Sequence, residues 1–417
     1  MKRPRLWRAV VRPEAGRRLE HHLKAENVGR LAGGLRDGLH DPGFPLLLRR
    51  IDQAPILSGN SVDVFFRGGE AFEAMGKAID AAREEVLVES YILKDDATGH
   101  AFLDAVGRAA ARGVAVRVLA DAWGSFTTRH AFWKEMKRRG VEARLFNPLF
   151  PHLLFQPYRD HRKILVVDRR VAFTGGMNIA DEYGSGGGSS TGPWRDTHAR
   201  VEGPAAWELA VVFAEAWRRA GGRLDFDPLP PPEPHGASIL VLDSRPGRGH
   251  EETASVLAAI VGAAREKVWI TNAYFAPKVR AVRVLAEAVR RGVDVRLLLP
   301  ARTDVPLVRH AGHGYFRALL RLGVRVFEYG AAILHAKSLV ADDFVSVVGS
   351  TNLDFRSFHF NAEANLVILD APTGLAFADA FRDDLTRANE IHAETWSRRP
   401  ALHRIGDNLA RRLGPLL

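Results

Sequence analysis

Two stretches of the chain carry the same chemically capable side chains in the same order. HRKILVVDRRVAFTGGMN spans residues 161–178, and HAKSLVADDFVSVVGSTN spans 335–352. Both follow H-x-K-x4-D-x6-G-[GS]-x-N without insertion. His161, Lys163, Asp168, Gly176 and Asn178 are therefore matched by His335, Lys337, Asp342, Ser350 and Asn352. A strand alternates its side chains between two faces, so a histidine and a lysine two apart project on one side. The small residues that close each copy allow backbone N–H groups to approach an anion, and the asparagine adds a donor. An imidazole beside a fixed cation and amide donors suits a phosphate. The same lysine disfavours a divalent cation, so neither a metal nor a cofactor is expected.

Cleaving a phosphodiester through a covalent intermediate takes a nucleophile, an acid for the leaving oxygen, and positive charge around the remaining oxygens. One copy of the motif offers a single imidazole. Two copies face to face offer one neutral imidazole to attack phosphorus and one protonated imidazole to donate to the leaving group. Each ring also needs a carboxylate on its other nitrogen. Asp196 in WRDTHARVEG and Glu363 in NAEANLVILD stand at the head of the next strand after each motif, and which histidine each serves is left open. Asp168 and Asp342 enter as catalytic candidates with their motifs, although anchoring the strand or its lysine fits their place better than touching substrate. The other histidines, His310 and His313 among them, read as structural or solvated. The patterns H-E-x-x-H, G-x-x-x-x-G-K-[ST] and G-x-G-x-x-G are missing from the chain.

The elements that must position these residues repeat as well. AAREEVLVESYIL (81–93) is echoed by AAREKVWITNAYF (263–275), and ARGVAVRVLAD (111–121) by RRGVDVRLLLP (290–300). Each half reads as helices alternating with strands, ending in the histidine motif. Apolar residues at three-to-four spacing mark the helices, and short β-branched runs such as VAVRVL and ILVV mark the strands. Such alternation predicts an α/β fold: two pseudo-repeated α/β/α domains with mixed central sheets and a shared active-site cleft. The expected organisation is a basic segment over 1–54, a first domain over 55–228, a proline-rich connector over 229–237, a second domain over 238–395 and a basic amphipathic tail over 396–417. GSGGGSSTG (184–192) reads as a flexible loop, either an inert surface segment or a flap near the site. In the tail, Leu402, Ile405, Leu409 and Leu413 alternate with Arg404, Arg411 and Arg412. A helix docking its apolar side on the domain is the first reading, and a helix lying on a membrane surface is the second.

Composition bounds the class of protein. With 417 residues, 46% apolar and 26% charged, the chain is globular and long enough for two cores. It has no cysteine, which rules out disulfides and thiol chemistry. The formal net charge is +10, and residues 1–50 alone hold twelve Lys and Arg against five Asp and Glu. That balance favours an anionic partner, nucleic acid or acidic lipid. No apolar run is long enough to cross a bilayer, so a membrane would be met from its surface.

The doubled motif resembles the signature of the phospholipase D superfamily. Further stretches, ESYILKDDATG, RLFNP, GGMNIADEY, WRDTHARVEGPA and GSTNLDFRSFHFNAEANLVI, make the chain similar to bacterial cardiolipin synthases, specifically a shorter form without transmembrane helices. The resemblance covers about residues 55–395. It implies phosphatidyl transfer from phosphatidylglycerol, through a phosphohistidine, to a second lipid alcohol, with glycerol released and no metal. It implies catalytic roles for His161, Lys163, Asp168, His335, Lys337 and Asp342, with His161 as nucleophile and His335 as acid/base. Asn178, Asn352, Gly176, Ser350, Asp196 and Glu363 would support the site. The implied setting is peripheral, on the cytoplasmic face of the bacterial inner membrane, with an anionic phospholipid surface as partner and nucleic acid disfavoured; no oligomeric state follows. RSFHFN has no evident counterpart in the first half. A hydrolase or nuclease using the same site is the alternative, and a noncatalytic membrane-binding protein is a third.

Overall fold

A computed structural model describes residues 25–148, 158–184, 192–226 and 235–413. The first 24 residues, most of the glycine–serine loop, the proline run of the connector and the last four residues fall outside these ranges.

Two short helices come first, α1 (Ala25–Gly33) and α2 (Gly43–Asp52). The first half then runs β1 (Ile56–Phe65), α3 (Gly68–Ala81), β2 (Glu85–Ser90), α4 (Ala97–Ala111), β3 (Ala115–Asp121), α5 (His130–Arg138), β4 (Glu142–Phe146), β5 (Arg159–Asp160), β6 (Lys163–Val167), β7 (Val171–Gly175), β8 (His198–Glu202) and α6 (Pro204–Arg219). The second half follows the same plan. It runs β9 (Ala237–Ser244), α7 (His250–Ala263), β10 (Lys267–Asn272), α8 (Val279–Arg290), β11 (Asp294–Pro300), α9 (Pro306–Arg321), β12 (Arg325–Tyr329), β13 (Lys337–Ala341), β14 (Val345–Gly349), β15 (Asn361–Leu369), α10 (Ala371–Leu385) and β16 (Ala388–Ile391). Two further helices, α11 (Ala393–Ser397) and α12 (Ala401–Arg412), close the described chain.

The two mixed sheets are joined edge to edge. The strand order β16-β12-β11-β10-β13-β14-β15-β9-β1-β8-β7-β6-β2-β3-β4 passes from one half to the other through the antiparallel β1–β9 pair. The register shifts between Leu57 and Asn60 at that joint. Buried Asn60 fastens it, donating to the Leu57 and Ala237 carbonyls and accepting from the Ala205 amide at the start of α6. One shared core lies between the halves, where α6 and α10 meet both sheets through Phe213, Trp217, Phe377 and Phe381. The parallel pairs β2–β3 and β10–β11 are the crossovers that the alternating pattern predicts.

Part of the basic N-terminal segment is described. Residues 25–52 form α1 and α2, which pack on the second half through the same core as α7. Their approach is close because the crossing is built from small residues: a Cβ on Gly262 would lie 2.1 Å from the Gly29 carbonyl oxygen.

Candidate active site

Each motif forms a β-hairpin, β6–β7 in the first half and β13–β14 in the second. The turn needs two consecutive left-handed residues, supplied by Asp168 and Arg169 (φ 49° and 55°) and by Asp342 and Asp343 (φ 50° and 52°). Asp168 accepts the backbone N–H groups of Arg83, Glu84 and Glu85 at 2.8–2.9 Å, and Asp342 those of Arg265, Glu266 and Lys267 at 2.7–2.9 Å. These carboxylates lie at the far end of the strand, five residues and about 16 Å at strand rise beyond the motif lysine. Asp168 and Asp342 are therefore not brought to the imidazoles. They tie the hairpin to the entrance of β2 and of β10.

At the other end, the two halves exchange backbone hydrogen bonds. β5 pairs in parallel with the start of β15, and the His161 amide donates to the Ala362 carbonyl at 2.9 Å. The His335 amide donates to the Arg195 carbonyl at 2.8 Å. Each motif histidine is thus laid beside the residue preceding the other half's carboxylate. His161 Nδ1 lies 3.0 Å from Glu363 Oε2, and His335 Nδ1 lies 2.7 Å from Asp196 Oδ2. The carboxylates cross over: each half orients the imidazole of the other through Nδ1.

All four groups are buried, with His161 the most open at 8% exposed. Each lysine returns to its own histidine. Lys163 Nζ donates to the His161 carbonyl at 2.6 Å, and Lys337 Nζ donates to the His335 carbonyl. Lys337 Nζ also sits 2.8 and 2.9 Å from the two ring nitrogens of His335. A tyrosine lies beside each pair: the Tyr91 ring is 4.9 Å from His161 and 5.4 Å from Lys163 Nζ, and the Tyr274 ring is 5.9 Å from His335 and 5.8 Å from Lys337 Nζ.

Burial sets the proton affinities. Desolvation pulls Lys163 down to about 7 and Lys337 to about 8. Desolvation, with Lys337 adding to it, pulls His335 to about 4, while desolvation lowers His161 against the opposing pull of Glu363. Burial would raise Asp196 and Glu363, but the facing histidines and lysines outweigh it and hold both below the usual carboxylate range. The empty site is a pair of neutral imidazoles, two ionised carboxylates and two lysines poised near neutrality. A bound phosphodiester anion would favour the cationic forms of all four basic groups.

The remaining expected residues have other duties. The Gly176 amide donates to the Thr197 carbonyl and the Ser350 amide to the Ala364 carbonyl, so neither offers its N–H to an anion. Gly176 is small for a different reason: a Cβ there would lie 2.1 Å from Asp196 Oδ1. At the matched position, the Ser350 hydroxyl donates to Glu363 at 2.5 Å, and Asn361 donates to the other Glu363 oxygen at 3.2 Å. Asn178 is used on both sides, accepting from the Ile92 amide and donating to the Tyr183 hydroxyl. Asn352 is buried, and its Oδ1 has no hydrogen-bond partner among the described residues.

Several residues of the site have no role in the motif pattern. The rings of Tyr183, Trp194 and Tyr274 stand 5.3, 5.4 and 5.9 Å from that of His335. Arg162, buried beside His161, is held by Glu89 and Asp243. The tyrosines at the ends of ESYIL and TNAYF were the available signal, since both halves place an aromatic hydroxyl just past the strand beside the motif. Arg162 has an alanine at the matched position, so the repeat gives no cue to it.

The family described as "Cardiolipin synthase, PLD-like domain" matches residues 75–184 and 257–386, one segment in each half. The chain belongs to the cardiolipin synthase family. Cardiolipin synthase A of Pseudomonas aeruginosa is 37% identical over 373 residues, covering 89% of this chain and 76% of the relative. Cardiolipin synthase 1 of Bacillus anthracis is 32% identical over 426 residues, covering 99% and 81%. The protein is accordingly an enzyme of the phospholipase D superfamily, of the phosphatidyltransferase class. Among solved structures, the phosphatidylserine synthase of Haemophilus influenzae superposes with a TM-score of 0.67 at 14% identity, over 89% of this chain and all of that one. The polyphosphate kinase of Porphyromonas gingivalis gives 0.54 at 14% identity, over 88% of this chain and 55% of that one. These two likenesses concern the fold. Among the described residues, no helix is long and apolar enough to cross a membrane.

Proposed function

We propose that this cardiolipin synthase family member moves a phosphatidyl group from phosphatidylglycerol to the hydroxyl of a second phosphatidylglycerol. The observation that carries the reading is the pair of buried imidazoles, each oriented through Nδ1 by a carboxylate of the opposite half and each beside its own lysine. Such a site holds one phosphate between two groups able to exchange a proton across it.

In the first step His161 Nε2 attacks phosphorus, and the bond from phosphorus to the glycerol oxygen breaks. His335 passes a proton to that oxygen, and glycerol leaves. In the second step the acceptor hydroxyl gives its proton to His335 while its oxygen attacks phosphorus. The phosphorus–nitrogen bond breaks and His161 is restored. Lys163 and Lys337 neutralise the non-bridging oxygens. The resemblance to the family assigns His161 as the nucleophile and His335 as the acid. Its low affinity in the empty site means that the donated proton is taken up together with the anionic substrate. Work is done at the cytoplasmic surface of the membrane, where donor and acceptor both lie.

Incubating the protein with phosphatidylglycerol vesicles tests the reading. Cardiolipin with an equivalent of glycerol is the expected product; phosphatidic acid in place of cardiolipin would assign water as acceptor and overturn it.

A further inference from the structure

The C-terminal helix α12 is docked inside out. Asp407, 2% exposed, faces the domain, and its Oδ1 accepts from His310 Nδ1 of α9 at 2.8 Å. Its other oxygen lies 2.9 Å from Arg399. Ala410 is the other buried residue of the helix, and Arg411 lies over the Tyr315 ring. The apolar residues point the other way: Leu402 is 79% exposed, Ile405 63% and Leu409 59%, with Leu413 beyond them at 37%. At about 100° per residue, the centre of this stripe lies about 150° around the helix from Asp407. An amphipathic helix held only by the domain would bury the stripe and expose the carboxylate. Here a buried, paired aspartate fixes the helix so that four large apolar side chains face outward.

The placement says what the stripe meets. Contacts 310 to 407 and 315 to 411 run in the same sense, so α9 and α12 lie parallel with Leu402 level with Val305 and Pro306. That level is the active-site end of the sheet, because Asp304 accepts from the Tyr274 hydroxyl at 2.7 Å and the Tyr274 ring borders His335. Val305 and Leu307 are themselves exposed there. Across the site, exposed Trp123 lies against Arg159, two residues before His161. Arg412 borders the stripe on the helix, with Arg404 nearer the docked face, in a chain of net charge +10.

We propose that α12 is a fixed membrane-docking element, lying in the interface of an anionic bilayer with its leucine stripe among the acyl chains. Lipid headgroups meet Arg412 at the border of the stripe, and the site opens toward the same surface. The choice of a bilayer as occupant follows from the phospholipid reading of the site. Binding itself requires no turnover, so the two can fail separately.

The chain has no cysteine, which makes single-site labelling clean. An environment-sensitive fluorophore on Ile405→Cys should brighten and shift to the blue when vesicles of phosphatidylglycerol and phosphatidylcholine are added, while the same label on exposed Lys77→Cys of α3 should not respond. Replacing Leu402, Ile405 and Leu409 together by Ser should lower co-sedimentation with those vesicles by about tenfold or more, with the melting transition unchanged. An unresponsive Ile405 label or undiminished co-sedimentation would overturn the proposal. So would a vesicle-free dimer that the triple replacement dissociates, because the stripe would then belong to a second copy of the chain. Vesicle binding without cardiolipin formation would leave the docking element standing and remove the reading of the reaction.

Discussion

Replacing Glu363 by Gln keeps the shape of the side chain and removes its charge. The wild-type carboxylate holds His161 through Nδ1 at 3.0 Å, fully buried, and is itself held by Ser350 and Asn361. A hydrogen bond to a charged group contributes about 1.5–3 kcal/mol and a neutral one about 0.5–1.5, so the lost hydrogen-bond strength is about 1–2 kcal/mol. A further electrostatic term arises as His161 acquires positive character on bonding to phosphorus. At 4 Å and an effective dielectric of 20 it reaches at most about 4 kcal/mol. At about 1.4 kcal/mol per tenfold, kcat should fall between about 5-fold and about 20,000-fold. Substrate affinity should change far less, because Lys163 and Lys337 are untouched. The assay is the initial rate of cardiolipin formation over a range of phosphatidylglycerol surface concentrations, with circular dichroism to confirm the fold. A loss smaller than about threefold in a folded protein, under ~0.7 kcal/mol, would refute the claim that the opposite half's carboxylate sustains this imidazole.

Other outcomes follow from the same geometry. Gly176→Ala should disable the enzyme through the second histidine, because the new Cβ would lie 2.1 Å from the Asp196 oxygen beside His335; near-normal kcat would show that Asp196 can move without consequence. Asp168→Asn should cost about 1–3 kcal/mol of stability by weakening three backbone contacts at the hairpin, seen as a lower denaturant midpoint, with kcat of the folded fraction little changed; a collapse of kcat at unchanged stability would return Asp168 to the chemistry. Lys163 and Lys337 titrate near 7 and 8 in the free enzyme, so kcat/KM should fall as pH rises through that range and the lysines lose the charge that holds phosphate; a flat profile to pH 9 would contradict it. The same depressed affinities act on stability with the opposite slope. Between the folded values and the ordinary lysine value the unfolded chain binds more protons, so the penalty of burying the two cations, complete below about pH 7, is relieved as pH rises.

The motifs were legible because each packs its chemistry into one hairpin, where spacing and period-two alternation fix which side chains emerge together. The α/β plan of each half was legible from repeated helix and strand periods. The pairing of carboxylates with histidines was not. Asp196 and Glu363 each follow their own motif along the chain, and the crossing arises from two contacts remote in sequence, Arg159–Asp160 against Asn361–Ala362 and Arg195 against Leu334. The small residues after each hairpin read as an anion cradle, whereas their amides are spent on β-ladder bonds and their size makes room for the carboxylate. The spacing of α12 revealed an amphipathic helix and not which side docks. That was decided by one buried aspartate meeting a histidine of α9, a residue the sequence presents as just another polar position.

The central claim is that two opposed histidines act on one phosphate, with His161 carrying the phosphatidyl group. Rapid acid-free quenching with headgroup-cleavable, chain-labelled phosphatidylglycerol, followed by peptide mapping, tests it most directly. The label should appear on the peptide containing His161 and vanish in His161→Ala. Label on the peptide containing His335, or steady cardiolipin formation with no adduct at either histidine, would contradict the account.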